Sequence, residues 1–176
     1  SKDVIAEINS VHTNKKYLGA HELPHSLRAT TDLAQAFAHS HIYVLAIPAQ
    51  QLRLTLQEWK PFFATDSIIV STLKGIEIST QMRMTEVIED VLGPRAVAII
   101  TGPNLADELV LRQPAGAVAA AATQELADHM RDLFRTPYYR VYTSVDVMGC
   151  ELSGAIKSVI ALAVGISIGM GFGENT

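Results

Sequence analysis

Cysteine is nearly absent. Cys150 is alone among 176 residues, so no internal disulfide and no thiolate metal cluster can form. That points to a reduced, cytosolic compartment. Aromatics are scarce, at 6%, and no basic run exceeds the pair Lys15-Lys16. The formal net charge is −4. A general nucleic-acid binder needs clustered Lys and Arg to neutralise phosphates, so that class is excluded. The six histidines lack metal-ligand spacing. His21 and His25 are four apart, but Pro24 between them argues for a loop, and no metal site is expected. No nucleophile elbow supports a Ser/His/Asp triad. No G-x-G-x-x-G follows a strand, and the late glycines Gly169, Gly171 and Gly173 come after a helical run, where a helix-ending bend or close helix crossing is expected. Ser1-Lys2-Asp3 opens an amphipathic stretch, not a secretory signal. The longest mostly apolar run, Val159 to Gly173, is interrupted by Ser167. It falls short of the roughly 20 residues that a membrane span needs, so a buried, glycine-packed helix is expected there.

What is present is apolar: 48% hydrophobic against 18% charged, which excludes disorder. The length suits one sizeable core, or a core with part of a second domain. Strands and helices alternate. Helical spacing over 1–13 is followed by a polar loop and a short helix over 33–39, capped by Thr31-Asp32. Near-continuous apolar runs at 41–47 (HIYVLAI), 67–73 (SIIVSTL) and 96–101 (AVAIIT) read as strands buried on both faces of a parallel sheet. Helices are predicted over 50–59, over 79–92 with Ser79 as cap, and over 104–112. An alanine-rich strand, or alternatively a helix, spans 115–122. A helix capped by Thr123, a strand over 139–142, and a helical stretch from Asp146 complete the pattern. The class is α/β, a doubly wound parallel sheet, with a domain boundary near Ser144 that separates 1–144 from 145–176.

Doubly wound sheets bind ligands beyond the carboxyl ends of their strands. The residues there are Pro48-Ala49-Gln50, Lys74-Gly75-Ile76-Glu77 and Gly102-Pro103-Asn104. Lys74 follows a buried strand and precedes a glycine that permits close backbone approach, so it either reaches a phosphate or carboxylate or is solvated in its loop. Asn104 either caps a helix or bonds a ligand hydroxyl. Lys157 interrupts an apolar helical run. Buried there, it would have a lowered pKa suited to acid/base work; on an exposed stripe it would simply snorkel. Glu151, six residues earlier, is on another face and is not its direct partner. Cys150 reads as a small buried residue.

Eight runs, in order, resemble the NAD(P)-dependent sn-glycerol-3-phosphate dehydrogenases. They are Glu7-Ile8-Asn9 with Tyr17-Leu18, Ala29 to Leu33 (ATTDL), Ala46-Ile47-Pro48, Lys74 to Glu77 (KGIE), Gly102 to Glu108 (GPNLADE), Arg140 to Thr143 (RVYT), Gly154 to Ala161 (GAIKSVIA), and Gly169 to Thr176 (GMGFGENT). The resemblance implies a Rossmann-type domain followed by the first helix of an all-α substrate domain. It implies reversible reduction of dihydroxyacetone phosphate, with NAD or NADP as cofactor, in support of phospholipid synthesis. Lys157 matches the catalytic lysine, and Lys74 the lysine that contacts substrate and cofactor. Gly102 and Asn104 match substrate contacts; Ala106, Pro48, Gln50 and Tyr17 match cofactor-side positions. A cytoplasmic homodimer, acting on a small phosphorylated triose, is the family expectation. Ser158 and Ile168 depart from the usual Asn and Asp, which puts efficiency in doubt. The resemblance also implies a glycine fingerprint upstream of Ser1, further helical chain after Thr176, and no turnover by these 176 residues alone. The alternatives are a two-domain dehydrogenase of β-hydroxyacids or sugar acids, and a nucleotide-binding module with impaired catalysis.

Overall fold

The computed structural model describes residues 2–173. The chain opens with α1 (Lys2–Val11) and the single turn α2 (Lys15–Leu18). The Glu7-Ile8-Asn9 run has a local explanation. Glu7 Oε1 accepts from Thr13 Oγ1 at 2.8 Å and from Lys15 N at 2.9 Å. Asn9 pairs with the Ala29 backbone through both ends of its amide, each bond 2.8 Å long. These bonds supply partners to a polar loop that has little apolar surface to bury. Helix α3 (Leu33–Phe37) starts at Asp32, whose carboxylate accepts from Gln35 N, the expected cap.

Five strands follow: β1 (Ile42–Leu45), β2 (Ile68–Ser71), β3 (Ala96–Thr101), β4 (Ala115–Ala121) and β5 (Tyr139–Ser144). They lie side by side in sequence order. Between them run α4 (Leu52–Trp59, entered through a 3-10 turn), α5 (Met84–Leu92), α6 (Ala106–Val110) and α7 (Gln124–Phe134). The last helix, α8 (Val147–Gly169), has 23 residues. Alternate strand residues face opposite sides, so the sheet carries two cores. Ile69 and Val97 pack with Leu52 and Leu56 of α4 and Val87 and Ile88 of α5. Val70, Ala98 and Ile100 face the other way, onto Ala127 and Met130 of α7. Alanine dominates β4 because α7 lies close against it: Ala119, Ala121 and Ala127 are wholly buried.

The α/β class and the two covered faces agree with the sequence; four details do not. The sheet is mixed: β1, β2 and β3 are parallel, but β4 runs antiparallel to β3, and β5 is parallel to β4. Helix α5 starts at Met84, because residues 76–83 form a loop closed by an Ile76–Arg83 bridge. Ser79 therefore caps nothing; Glu86 instead accepts from Arg83 N at 2.8 Å. Asn104 stands outside α6, whose N-cap position is Leu105. Helix α8 contains no buried residue, and Val159, Ile160, Leu162 and Ile168 are all exposed. By length and composition alone it is apolar enough to cross a membrane, although its first half is docked on the sheet. Gly171, with φ +76°, ends it in a bend with no close helix crossing. Glu174, Asn175 and Thr176 of the last family-like run lie outside the described residues.

Enlarging the β4 alanines tests the close approach of α7. Ala119→Leu is expected to cost about 1–3 kcal/mol in urea unfolding. Leu54→Ala, on the exposed side of α4, is expected to change stability by less than about 0.5 kcal/mol.

Candidate functional site

Two clefts adjoin at the carboxyl ends of the strands, and Lys74 lines both. The first, of about 510 Å³, lies between the end of β3 and the first turns of α8. Lys74, Thr101, Gly102, Ser153, Gly154 and Lys157 are among its walls. The second, of about 420 Å³, lies over the ends of β1, β2 and β3. Ile47, Pro48, Ala49, Thr72 and Asn104 line it.

Lys74 is held in place. Its Nζ donates to the Gly102 carbonyl at 2.7 Å. Partial desolvation, then the Lys157 ammonium nearby, push its pKa below the ordinary lysine value of 10.5. Two like charges on separate elements thus meet at one cleft, an arrangement that an anion relieves. Lys157 is exposed on α8, the second of the two readings its apolar run left open; Lys74 is also exposed, yet it is the one that burial partly desolvates.

The Lys74 loop is braced from below. Glu77 is buried and accepts from Arg53 Nε and Nη2 and from the Thr80 hydroxyl. The Arg53 guanidinium, and then Thr80, hold its carboxyl below the usual range. Arg53 also pairs with Asp90 on α5. Gly75, at φ +151°, needs its missing side chain, because a Cβ would stand 3.1 Å from Ala49 Cβ. Gln50 donates to Ile76 O at 2.8 Å and accepts from Ile78 N at 3.1 Å. Its amide thus braces the loop that it was matched to.

Close backbone approaches set the walls. A Cβ on Gly102 would stand 2.6 Å from Gly116 O and 3.0 Å from Ala117 Cα. At Gly154 a Cβ would meet Thr101 Oγ1 at 3.1 Å and Lys74 Cγ at 3.6 Å, so this glycine sets how near α8 comes to β3. Asp146 starts α8 by accepting from Gly149 N at 2.8 Å. Asn104 lies beside the buried Tyr139 hydroxyl, and its Oδ1 is buried without a partner.

The structure thus brings together Lys74, Lys157 and Gly102 in one cleft, and Lys74, Pro48 and Asn104 in the other. Tyr17 and Ala106 line neither. Tyr17 is exposed, with the Lys16 ammonium 5.1 Å from its ring centre. Ser158 and Ile168, the two departures, are exposed and also outside both clefts. Cys150 is half-buried and lines the first cleft, more open than expected. The sequence began the last helix at Asp146 but did not name its cap or its place in the first cleft, although an Asp three residues before a glycine at the start of an apolar helical run is a cap signal.

Gly102→Ala is expected to cost about 1–3 kcal/mol in urea unfolding, because backbone atoms block the new methyl. Gly116→Ala, where a Cβ would meet only Arg140 O at 3.7 Å, is expected to stay within about 0.5 kcal/mol.

Comparison with known proteins places this geometry. The profile of the NAD-dependent glycerol-3-phosphate dehydrogenase N-terminus matches residues 1–127, and that of the same enzyme's C-terminus matches 146–176. Glycerol-3-phosphate dehydrogenase [NAD(P)+] of Streptomyces avermitilis is 51% identical over 170 residues, covering 96% of this chain and 51% of that protein. Its counterpart in Thermobifida fusca is 46% identical over 175 residues, covering 98% and 52%. Among solved structures, glycerol-3-phosphate dehydrogenase from Saccharomyces cerevisiae superposes with a TM-score of 0.88 at 28% identity, covering 98% of this chain and 52% of that one. The enzyme from Coxiella burnetii gives 0.86 at 26%, covering 98% and 53%. The chain spans about half the length of the curated relatives it matches. On sequence and fold together, the chain belongs to the NAD-dependent glycerol-3-phosphate dehydrogenase family.

Proposed function

We propose that the complete protein interconverts dihydroxyacetone phosphate and sn-glycerol 3-phosphate with NAD(H) or NADP(H), and so supplies glycerophospholipid synthesis. The observation that carries this reading is the cleft shared by Lys74 and Lys157, which adjoins a second cleft through Lys74. A phosphorylated triose is a small anion with one carbonyl, and two ammonium groups suit both features. The second cleft fits the nicotinamide end of a dinucleotide. It lies past the strand ends, its floor is apolar at Ala46, Ile47 and Pro48, and the orphaned Asn104 Oδ1 is an acceptor in want of a donor. When bound there, the cofactor supplies or takes up a hydride.

The chain's own residues do the rest. Lys157 donates a proton to the ketone oxygen during reduction and removes it during oxidation. Lys74 stabilises negative charge that develops on the same oxygen. One of its three donors is committed to Gly102 O, which aims the other two. Gly102 contacts substrate, and Asn104, which lines the second cleft, stands where substrate and nicotinamide meet; Pro48 lies toward the cofactor. Gln50 serves that side through the loop it braces. Support for Tyr17 and Ala106, which line neither cleft, is the family match alone. Residues 1–144 form the cofactor-binding part, and 145–176 begin the substrate domain, whose further helices cover the exposed face of α8. A cytoplasmic homodimer belongs to the same reading and rests on the resemblance alone.

In the complete protein, Lys157→Ala is expected to lower kcat for dihydroxyacetone phosphate reduction by roughly 10²–10⁴-fold, with the cofactor KM unchanged. Lys74→Ala is expected to raise the triose phosphate KM as well as lower kcat. Preferential turnover of 3-hydroxyacids or sugar acids would overturn the reading, and so would cofactor binding with no turnover of any of these substrates. The pH dependence is fixed in sign. Lys74 attracts an anion only when protonated, and its pKa is lowered. Affinity for the phosphorylated substrate is therefore expected to fall as pH rises through a value below 10.5, measured by calorimetry across an alkaline series. Lys74→Arg, which stays charged, is expected to weaken that decline and push what remains to higher pH.

A further inference from the structure

Helix α8 carries Lys157 but contains no buried residue, so apolar packing alone holds it weakly. Its strongest polar tie is Glu151. This carboxylate is 6% exposed, although it stands on a largely open helix. Oε1 accepts from Thr85 N at 3.0 Å. Oε2 accepts from Thr85 Oγ1 at 2.6 Å and from Arg83 Nη1 at 2.7 Å. Thr85 N–H lies in the first turn of α5, where helical donors have no partner of their own, so Glu151 caps α5 from a different helix. Arg83 is in turn fixed. Its Nη1 donates to Thr85 Oγ1 at 3.2 Å, and its Nη2 donates to Glu86 at 2.8 Å.

The same residues end the loop that begins at Lys74. Arg83 bridges Ile76, and Glu77 N donates to Met82 O at 2.9 Å. The two lysine-bearing elements are thus referred to one frame, with Lys74 at its entrance and Glu151 fastened at its exit. Gly154, one turn beyond Glu151, keeps α8 close to Thr101.

We infer that Glu151 is a positioning residue for Lys157: by tying the first turns of α8 to the start of α5, it holds the Lys157 ammonium over the cleft beside Lys74. This rests on the functional reading given above for Lys157. Glu151 lines neither cleft and its carboxylate bonds Thr85 and Arg83, not a lysine, so it acts through the placement of α8. Its isostere glutamine keeps one oxygen and sets an N–H₂ group against either the Thr85 N–H or the Thr85 and Arg83 side-chain donors, so the tie loses part of its bonds, and the carboxylate charge, at nearly constant volume.

The test combines kinetics with hydrogen exchange on the complete protein. Glu151→Gln is expected to lower kcat by roughly 100-fold while leaving the cofactor KM within about twofold. Amides of 150–158 are expected to exchange roughly tenfold faster, while those of β3 are unchanged. Combined with Lys157→Ala, Glu151→Gln is expected to add almost nothing to the loss from Lys157→Ala alone. A general loss of structure would instead add in full, and that result overturns the inference, as does a Glu151→Gln kcat within about twofold of wild type. If Glu151→Gln fails to fold, Thr85→Val removes one donor only: it is expected to give a smaller loss that Thr85→Ser restores, and wild-type kcat in Thr85→Val overturns the inference. If the unaltered protein turns over no triose phosphate, the functional reading fails by itself; loosened exchange in Glu151→Gln then still supports the tie, and unchanged exchange overturns it.

Discussion

Two positive charges that repel each other stand at the same cleft, and the site depends on how they are kept there. Neither lysine stabilises the other; the Lys157 ammonium helps to depress the pKa of Lys74. Their proximity has to be imposed by parts of the fold that bear no charge at the cleft. Three contacts do this. The Gly102 carbonyl takes the Lys74 ammonium, the missing side chain of Gly154 lets α8 approach Thr101, and the carboxylate of Glu151 fastens α8 to α5. Each is a close approach or a hydrogen bond of no more than 3.0 Å, with little tolerance for displacement. An anion would relieve the repulsion, and the frame prevents its relief by movement apart.

Much of this fold was legible because local chemistry decided it. The run AVAIIT is a strand from end to end, since β-branched and small residues buried on both faces admit little else. Asp32 and Thr123 cap their helices because each has a side-chain oxygen in reach of an unpaired N–H three residues on. Lys74 was readable from the strand that precedes it and the glycine that follows. Lys157 was readable as a charge within an apolar run.

What was illegible was decided at a distance. Glu151 finds partners 66 and 68 residues away, and no spacing within α8 announces them. The direction of β4 could not be read, because side chains alternate identically in parallel and antiparallel ladders. Ser79 looked like a helix start, yet the buried Glu77 with Arg53 and Thr80 turns that segment into a loop. Gln50 matched the cofactor-side loop, but the two backbone groups that hold its amide lie 26 and 28 residues away, where no spacing reveals them. The apolar run of α8 suggested burial, which hydropathy cannot distinguish from a surface that awaits contact.

The reversal of β4 decides where the chain leaves the sheet. Ser144, the last residue of β5, pairs with Ala120, which pairs with Ile99, so β5 finishes level with the middle of β3. From that low exit α8 climbs in the same sense as β3 and passes Thr101 at Gly154. It therefore rises through the ligand crevice, not away from it. Had β4 and β5 both pointed with β3, the chain would emerge at the rim and its next helix would have to descend or depart. One inverted strand thus works as a switchback, and it delivers Lys157 to the rim with about half of its helix still to come.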